Sequence, residues 1–178
     1  METKIAIMRP FFEDPDREFQ IRELSRIVKI NHTTVRKYLN GLVKESLLKK
    51  VEFGTFSSYS ILLSRGYLNL KLFYNLDKLW KSGLIDELIS KFEIPTIVLF
   101  GSYAHAEDRK DSDIDLCIIS NVNIKKELEL SKYEKRLNRK VSLHIFTKKE
   151  WSDLKNKNPN MVNSIINGIV ILGELWIL

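Results

Sequence analysis

Residues 96–117 are TIVLFGSYAHAEDRKDSDIDLC, and this stretch decides the fold of the second half of the chain. An apolar, β-branched run from Thr96 to Phe100 ends at Gly101-Ser102, and after a polar loop the triplet Asp113-Ile114-Asp115 opens a second apolar run. Apolar runs bounded by turn residues predict two short strands joined by a loop. The stretch therefore places a Gly-Ser pair at the end of one strand and alternating carboxylates at the start of the next.

These residue types suit the handling of a nucleoside triphosphate. A glycine lets the backbone approach a phosphate closely, and the hydroxyl of Ser102 and the amides after it are able to donate to phosphate oxygens. Asp113 and Asp115 are two residues apart on a predicted strand, so their side chains point to one face while Ile114 points into the packing. Paired carboxylates on one face suit Mg²⁺, which takes hard oxygen ligands and bridges triphosphate oxygens.

The two halves of the stretch are more specific together than either half alone. Gly101-Ser102, the ten residues 103–112 that end in a serine, and the run Asp113 to Leu116 resemble the GS…SDIDL signature of the polymerase-beta-like nucleotidyltransferase superfamily. The small archaeal and bacterial members, the minimal nucleotidyltransferases, are the most similar in pattern. The resemblance covers residues 94–178 and implies that superfamily's fold for them.

The resemblance also implies a chemistry, the Mg²⁺-dependent transfer of a nucleoside monophosphate, AMP from ATP, to a hydroxyl acceptor. In a two-metal site of this kind the ions polarise the α-phosphate and assist the attacking hydroxyl and the leaving pyrophosphate. The residues that the resemblance assigns to nucleotide binding are Gly101, Ser102 and Ser112, and those that it assigns to catalysis and metal binding are Asp113 and Asp115.

Two departures from the family pattern bear on catalysis. Family members continue from GS-x-A into Arg-Gly, where this chain has His105 and Ala106. The third family carboxylate is expected on a later strand, where this chain has Ser142 and His144 and no acid in residues 140–148. His144 either replaces the missing base or is an ordinary strand histidine, and we favour the second interpretation.

The N-terminal third predicts a different unit. Apolar residues at helical spacing predict helices over 3–12 and 21–29, and Asn31 is suited to cap a third helix. Strands are predicted over 47–53 and 58–62, joined by a turn at Gly54. Three helices followed by a β-hairpin resemble a winged helix-turn-helix domain, most clearly in RELSRIVKINHTTVRKYLNGLVKESLLKKVEFGTFSSYSI.

Short polar and cationic side chains cluster at the N-terminal end of the predicted third helix. Such groups contact phosphates and base edges when a recognition helix enters the major groove. The alternative is a solvated surface on a winged-helix protein-contact module. The predicted DNA-binding residues are His32, Thr33, Thr34, Arg36 and Lys37.

The remaining segments complete the prediction of an α+β protein. Two helices that meet at Gly83 are predicted between 64 and 93, followed beyond the site by a helix over 123–138, a strand over 140–146 and a last strand over 169–172. The apolar end, residues 174–178, is predicted to dock on its own domain or to form a homodimer contact. The predicted domains are a winged helix at 1–63, a helical connector at 64–93 and a nucleotidyltransferase domain with a mixed sheet at 94–178.

The composition of the chain limits the class of protein, its partners and its cellular compartment. Hydrophobic residues make up 44% of the 178, which is ordinary for a protein with a packed core, and the net charge of +6 favours an anionic partner or a lysine-rich surface. The single cysteine rules out an intrachain disulfide and suits a reducing compartment. With no apolar run of about 18 residues and no signal peptide at the N-terminus, we expect a cytoplasmic protein without a membrane partner.

Two further functions stay open. A DNA-binding transcriptional regulator, whose nucleotidyltransferase domain has lost its chemistry, is favoured by the two departures from the family pattern. An antitoxin is the other, because the resemblance to minimal nucleotidyltransferases implies a possible HEPN-type protein partner.

Overall fold

The N-terminal residues build helices and a small antiparallel sheet in the computed structural model, which describes residues 2–54, 56–121 and 128–175. Their elements are α1 (Glu2–Glu13), β1 (Phe19–Gln20), α2 (Ile21–Val28), α3 (His32–Lys44), β2 (Leu48–Phe53) and β3 (Phe56–Ile61). The sheet order is β1-β3-β2, and both pairings are antiparallel. The three helices and the hairpin of β2 and β3 occur in the predicted order, β1 is an additional strand that was not predicted, and the assignment to the winged-helix family stays a prediction.

The turn between α2 and α3 follows from two residues. Lys29 ends α2 in the left-handed conformation, at φ 55°. The side chain of Asn31 then accepts a hydrogen bond from the amide of Thr33 at 2.8 Å, which satisfies one of the free amides at the start of α3. The predicted cap at Asn31 is therefore confirmed.

Side chains from all three helices and the sheet fill the core of this first unit. The apolar stripes of α1, α2 and α3 face one another, as the helical spacing predicts. Fully buried members of this core are Ile7, Met8, Phe11, Leu24, Val35 and Leu39.

The long helix α4 (Arg65–Lys81) spans the boundary between two compact units, Met1–Tyr74 and Asn75–Leu178. The second unit continues with α5 (Leu84–Phe92), β4 (Thr96–Phe100), α6 (Gly101–Ala104), β5 (Ile114–Ile119), α7 (Ser131–Leu137), β6 (Val141–Phe146), α8 (Lys148–Lys157), α9 (Pro159–Ile166) and β7 (Ile169–Leu172). The helix boundary predicted at Gly83 is confirmed, because Gly83 lies between α4 and α5 at φ 81°. The predicted limits of the three domains stay a prediction.

The sheet of the second unit is mixed, as predicted, with the strand order β6-β5-β4-β7. Strand β4 pairs antiparallel with β5 and with β7, whereas β5 and β6 run parallel. Alternate residues of the central strands enter two separate cores. One core contains Ile97 and Leu116 with residues of α5 and α7, and the other contains Val98 and Cys117 with residues of α8 and α9.

Two predicted boundaries need correction. The helix predicted over 123–138 begins, in the described residues, only at Ser131; residues 128–130 are not helical, and 122–127 lie outside the described residues. The strand predicted to carry both carboxylates starts at Ile114, so Asp113 immediately precedes it.

The apolar C-terminal residues 174–178 are described only in part. Leu175 packs against the core that contains residues of α8 and α9, and residues 176–178 lie outside the described part. None of the described helices is both long and apolar enough to cross a membrane.

Candidate active site

The turn at the end of β4 sets the position of the candidate site. Gly101 has a φ of +72°, a conformation that side-chain-bearing residues rarely adopt. A Cβ atom on Gly101 would also lie 2.6 Å from Oδ2 of Asp115. Both the backbone conformation and the close approach require a glycine, and together they bring the start of α6 against a carboxylate of β5.

The register of the sheet places Ser142, one of the two residues found where the third carboxylate was expected, beside the aspartates. In the parallel pairing of β5 and β6, Asp115 lies opposite Ser142. The hydroxyl of Ser142 donates a hydrogen bond to Oδ2 of Asp113 at 3.4 Å. Asp113, Asp115 and Ser142 therefore meet at one end of the sheet, and a hydroxyl replaces the acid.

His144 also faces this cluster. Its Nε2 lies 3.9 Å from Oδ1 of Asp115, and its ring is 5.3 Å from the ring of Phe100. Burial raises the pKa of the Asp115 carboxyl, an effect that His144 opposes and Asp113 reinforces. A cation bound beside Asp115 would also lower the pKa of this carboxyl and so favour its ionised form.

The loop between α6 and β5 closes in a tight turn around Ser112. The amide of Arg109 donates to Oγ of Ser112 at 2.9 Å, and the amide of Ser112 donates to the carbonyl of Arg109 at 3.1 Å. Ser112 is thus an acceptor within the turn, and its hydroxyl proton remains able to donate to a phosphate oxygen. The sequence predicted Ser112 as a nucleotide-binding residue but not this structural role.

The donor set fits a hard cation that arrives with its own oxygen ligands. Among the described residues, no three His, Cys, Asp or Glu side chains form a group that could hold a metal ion. Mg²⁺, however, is commonly held by one or two carboxylates together with substrate phosphates and water. Asp113 and Asp115 supply that number of carboxylates, so the chemistry of the site suits Mg²⁺ bound with a triphosphate.

A groove of about 600 Å³ opens beside Asp113. Its lining includes Ser112 and Asp113 from the loop and the exposed Lys135 and Lys140 from α7 and the approach to β6. The carboxylate of Asp113 is therefore accessible to a molecule of moderate size.

The predicted DNA-binding residues all lie in the first two turns of α3. His32, Thr33, Arg36 and Lys37 are exposed, and Thr34 is half-buried.

A groove of about 320 Å³ between α2 and α3 is lined by His32 and Arg36 and also by Arg22 and Arg26. Sequence reasoning missed these two arginines of α2. Their i, i+4 spacing, on a helix whose Leu24 is buried, was the available signal.

Comparison with known proteins finds a match to a family model and weak likenesses to solved structures. Residues 83–174, which contain the whole candidate site, match the family model described as "Polymerase beta, Nucleotidyltransferase". No curated protein matches the chain.

A possible transcriptional regulator from Methanosarcina mazei Go1 is similar at 20% identity and a TM-score of 0.36, over 51% of this chain and 78% of that one. The Pseudomonas aeruginosa HmgR structure is similar at 17% identity and a TM-score of 0.33, over 71% of this chain and 50% of that one. At such low scores these two likenesses carry no functional weight.

Proposed function

The chain belongs to the polymerase beta nucleotidyltransferase family, and from this membership we propose that it is a Mg²⁺-dependent enzyme that transfers AMP from ATP to a hydroxyl acceptor. The observation that carries the proposal is the approach of Gly101 to Asp115, where a side chain would meet the carboxylate at 2.6 Å. A backbone turn suited to a phosphate and a carboxylate suited to a metal ion are thereby adjacent, which is what a metal-bound triphosphate needs.

In the proposed reaction the acceptor oxygen forms a bond to the α-phosphorus, and the bond from that phosphorus to the bridging oxygen breaks. Pyrophosphate leaves with the electron pair, and the hydroxyl proton passes to solvent. Ser102 and Ser112 would donate to phosphate oxygens and so orient the triphosphate, while Asp113 and Asp115 would hold the cation. Bound Mg²⁺ supplies positive charge that stabilises the negative charge of the transition state and the leaving group.

The groove beside Asp113 gives the acceptor a route to the α-phosphorus. It adjoins the carboxylate proposed to hold the cation, and its volume of about 600 Å³ accommodates a side chain or a small molecule. The acceptor hydroxyl would enter past Ser112 and Asp113.

The enzymatic proposal is tested by pyrophosphate release from ATP and Mg²⁺. We expect release by the wild-type protein and only background release by the Asp113→Ala/Asp115→Ala variant. Glu129→Ala/Asp153→Ala, which removes two exposed acids elsewhere in the second unit, is the matched control and should behave as wild type. Equal release by the wild type and the Asp113/Asp115 variant would refute the proposal.

We also propose that the first unit is a winged helix that binds DNA. The supporting observation is the groove that Arg22, Arg26 and Arg36 line together with His32. Arginines gathered on one surface attract phosphates, and the adjacent start of α3 presents short polar groups to base edges.

DNA binding is tested by affinity at several salt concentrations. Replacing Arg36 and Lys37 with alanine should weaken binding and reduce the slope of log affinity against log salt by up to about 2. Lys148→Ala/Lys149→Ala removes two exposed charges from the second unit and is the control. An unchanged slope in the Arg36/Lys37 variant would argue against α3 as the recognition helix.

One observation favours a second candidate function, a regulator or antitoxin with a catalytically degenerate domain. Ser142 replaces the expected third carboxylate and is hydrogen-bonded to Asp113, which leaves the site without an acid to serve as base. In that case wild-type protein binds ATP with Mg²⁺ yet releases no pyrophosphate. Binding to DNA or to a HEPN-type protein would then be the activity to measure.

A further inference from the structure

A buried ion pair connects Arg139 to Asp108, a residue of the loop that also carries Ser112 and Asp113. Nη2 of Arg139 is 3.1 Å from Oδ2 of Asp108, and only 3% and 1% of the two side chains are exposed. Arg139 also lines the groove beside Asp113, whereas Asp108 does not. Two charges removed from water in this way are costly unless their hydrogen-bonding groups are well satisfied, so the pair raises the question of what it holds in place.

The guanidinium of Arg139 contacts the loop at a second point. Its Nη1 donates to the carbonyl oxygen of Arg109. The same oxygen accepts the amide of Ser112 at 3.1 Å, which closes the turn. One planar group therefore bonds at once to the side chain of Asp108 and to the backbone of the turn.

The other oxygen of Asp108 extends the network towards α6. Nδ2 of Asn75 donates to Oδ1 of Asp108 at 2.9 Å and to the carbonyl of Tyr103 at 3.1 Å. Tyr103 is the residue after Ser102, so the network joins the element that follows the phosphate-binding turn to the loop that leads to Asp113.

The backbone of Lys140, the residue after Arg139, connects this network to the start of β5. The amide of Ile114 donates to the carbonyl of Lys140 at 2.9 Å. Ile114 lies between the two carboxylates of the site. The segment that presents the guanidinium thus also holds the start of β5.

We propose that Asp108 and Arg139 are positioning residues that fix Ser112 and Asp113 relative to α6 and β5. The inference rests on the proposed function, which explains why these positions need to be fixed. An arginine is required because its fork reaches two acceptors at once, whereas a lysine carries the same charge on a single nitrogen. A pair that served only charge balance would tolerate lysine.

Hydrogen exchange of the full-length protein without nucleotide tests the placement directly. In Arg139→Lys we expect the amides of Ser112 and Ile114 to exchange at least about tenfold faster than in wild type, with other core amides unchanged. The matched control is Arg136→Lys, since Arg136 donates to the carbonyl of Ser82 at 2.8 Å in another part of the same unit. That control should leave the loop amides protected.

A second variant covers the case in which Arg139→Lys loses its fold. Asp108→Asn/Arg139→Gln removes both charges together and keeps an oxygen at position 108 to accept from Asn75. Faster exchange confined to the loop in either variant supports the proposal. Wild-type protection of Ser112 and Ile114, or a uniform loss of protection in both variants, would overturn it.

The affinity for ATP with Mg²⁺ supplies the functional readout. If the wild type binds ATP, a folded variant should bind it roughly 10 to 100 times more weakly, as when residues behind metal ligands are replaced. Unchanged affinity despite a loosened loop would overturn the positioning role. If the wild type binds no ATP, the proposed function fails, while the exchange result still decides whether the pair positions the loop.

Discussion

At the scale of single residues, a methyl group on Gly101 would compete with the carboxylate of Asp115 for the same space. We expect Gly101→Ala to displace Asp115 and to adopt a strained backbone at a φ near +72°, with a loss of about 1 kcal/mol or more in the free energy of unfolding. ATP binding should weaken sharply. Urea unfolding and a binding titration measure the two effects.

Gly54 provides the matched control for this substitution. It also has a positive φ, +58°, but a Cβ there would meet no atom within 4 Å. Gly54→Ala should therefore show the conformational cost without a loss of ATP binding. If Gly101→Ala and Gly54→Ala bind ATP equally well, the contact with Asp115 does not matter to the site.

Ser142 is the residue at which an added carboxylate should increase activity. Ser142→Asp places an acid opposite Asp115 and within reach of Asp113. Without a cation we expect a destabilisation of about 1 kcal/mol from repulsion between like charges. With Mg²⁺ and ATP we expect pyrophosphate release to rise by about tenfold or more, because the site gains a ligand and a base.

The isosteric Ser142→Asn variant separates charge from shape. It should show neither the destabilisation by repulsion nor the gain in release. A similar rate in both variants would mean that the third carboxylate is not what limits turnover.

The residues of the site were predictable where the signal was local. Gly101, Asp113 and Asp115 were named because together they resemble a family signature within one short stretch, whereas the Gly-Ser pair alone is a weak signal. The contact of Ser142 with Asp113 and that of Arg139 with Asp108 join positions about 30 residues apart. Such pairs depend on strand register and loop path, which local patterns do not specify.

At the scale of elements, α8 begins directly after the strand that carries His144, and a capping box caps the N-terminus of this helix. The carboxylate of Glu150 accepts from the amide of Thr147 at 2.8 Å and from its hydroxyl at 2.9 Å. The amide of Glu150 donates back to that hydroxyl at 3.1 Å. These bonds to Thr147 hold the pKa of Glu150 below the ordinary 4.5 of a glutamate.

The sign of the resulting pH dependence follows from that shift. Because the pKa is lower in the folded than in the unfolded state, the stabilisation is present above about pH 4.5 and is lost as pH falls through the folded-state value. Glu150→Gln should reduce stability more at pH 7 than at pH 3, as measured by urea unfolding at both values. The same loss at both values would show that the charge of Glu150 is not involved.

Most helices and strands were predictable because the capping or turn residues and the spacing of apolar residues indicated the same element. In α3 the cap at Asn31 and the apolar spacing of Val35 and Leu39 point to the same helix. The helix predicted over 123–138 was too long at its start, since the apolar Leu128 and Leu130 extended the helical pattern over residues that are not helical. These leucines pack against the core of the second unit from an irregular segment, so burial without helical structure produced the same periodicity.

At the scale of the whole molecule, each of the two compact units has its own core. The core of the first unit is built from residues up to Tyr74, and the two cores of the second unit lie on opposite faces of one sheet. The positive charge is unequally divided between the units, with 13 Lys and Arg against 8 Asp and Glu up to Tyr74 and 16 against 15 beyond it. The excess of positive charge and the arginine groove therefore both favour the first unit as the one that would bind a polyanion.

Separate cores lead to the prediction that the two proposed activities are separable by mutation. Asp113→Ala/Asp115→Ala should abolish pyrophosphate release and leave the affinity for DNA within about twofold of wild type, because substitutions at sites with no shared partners act additively. Arg36→Ala/Lys37→Ala should do the reverse. Both variants are measured in both assays, with thermal unfolding to confirm that they are folded. Loss of both activities in either variant would mean that the units depend on each other, and DNA would then be a candidate for the acceptor or for an activator of the transfer.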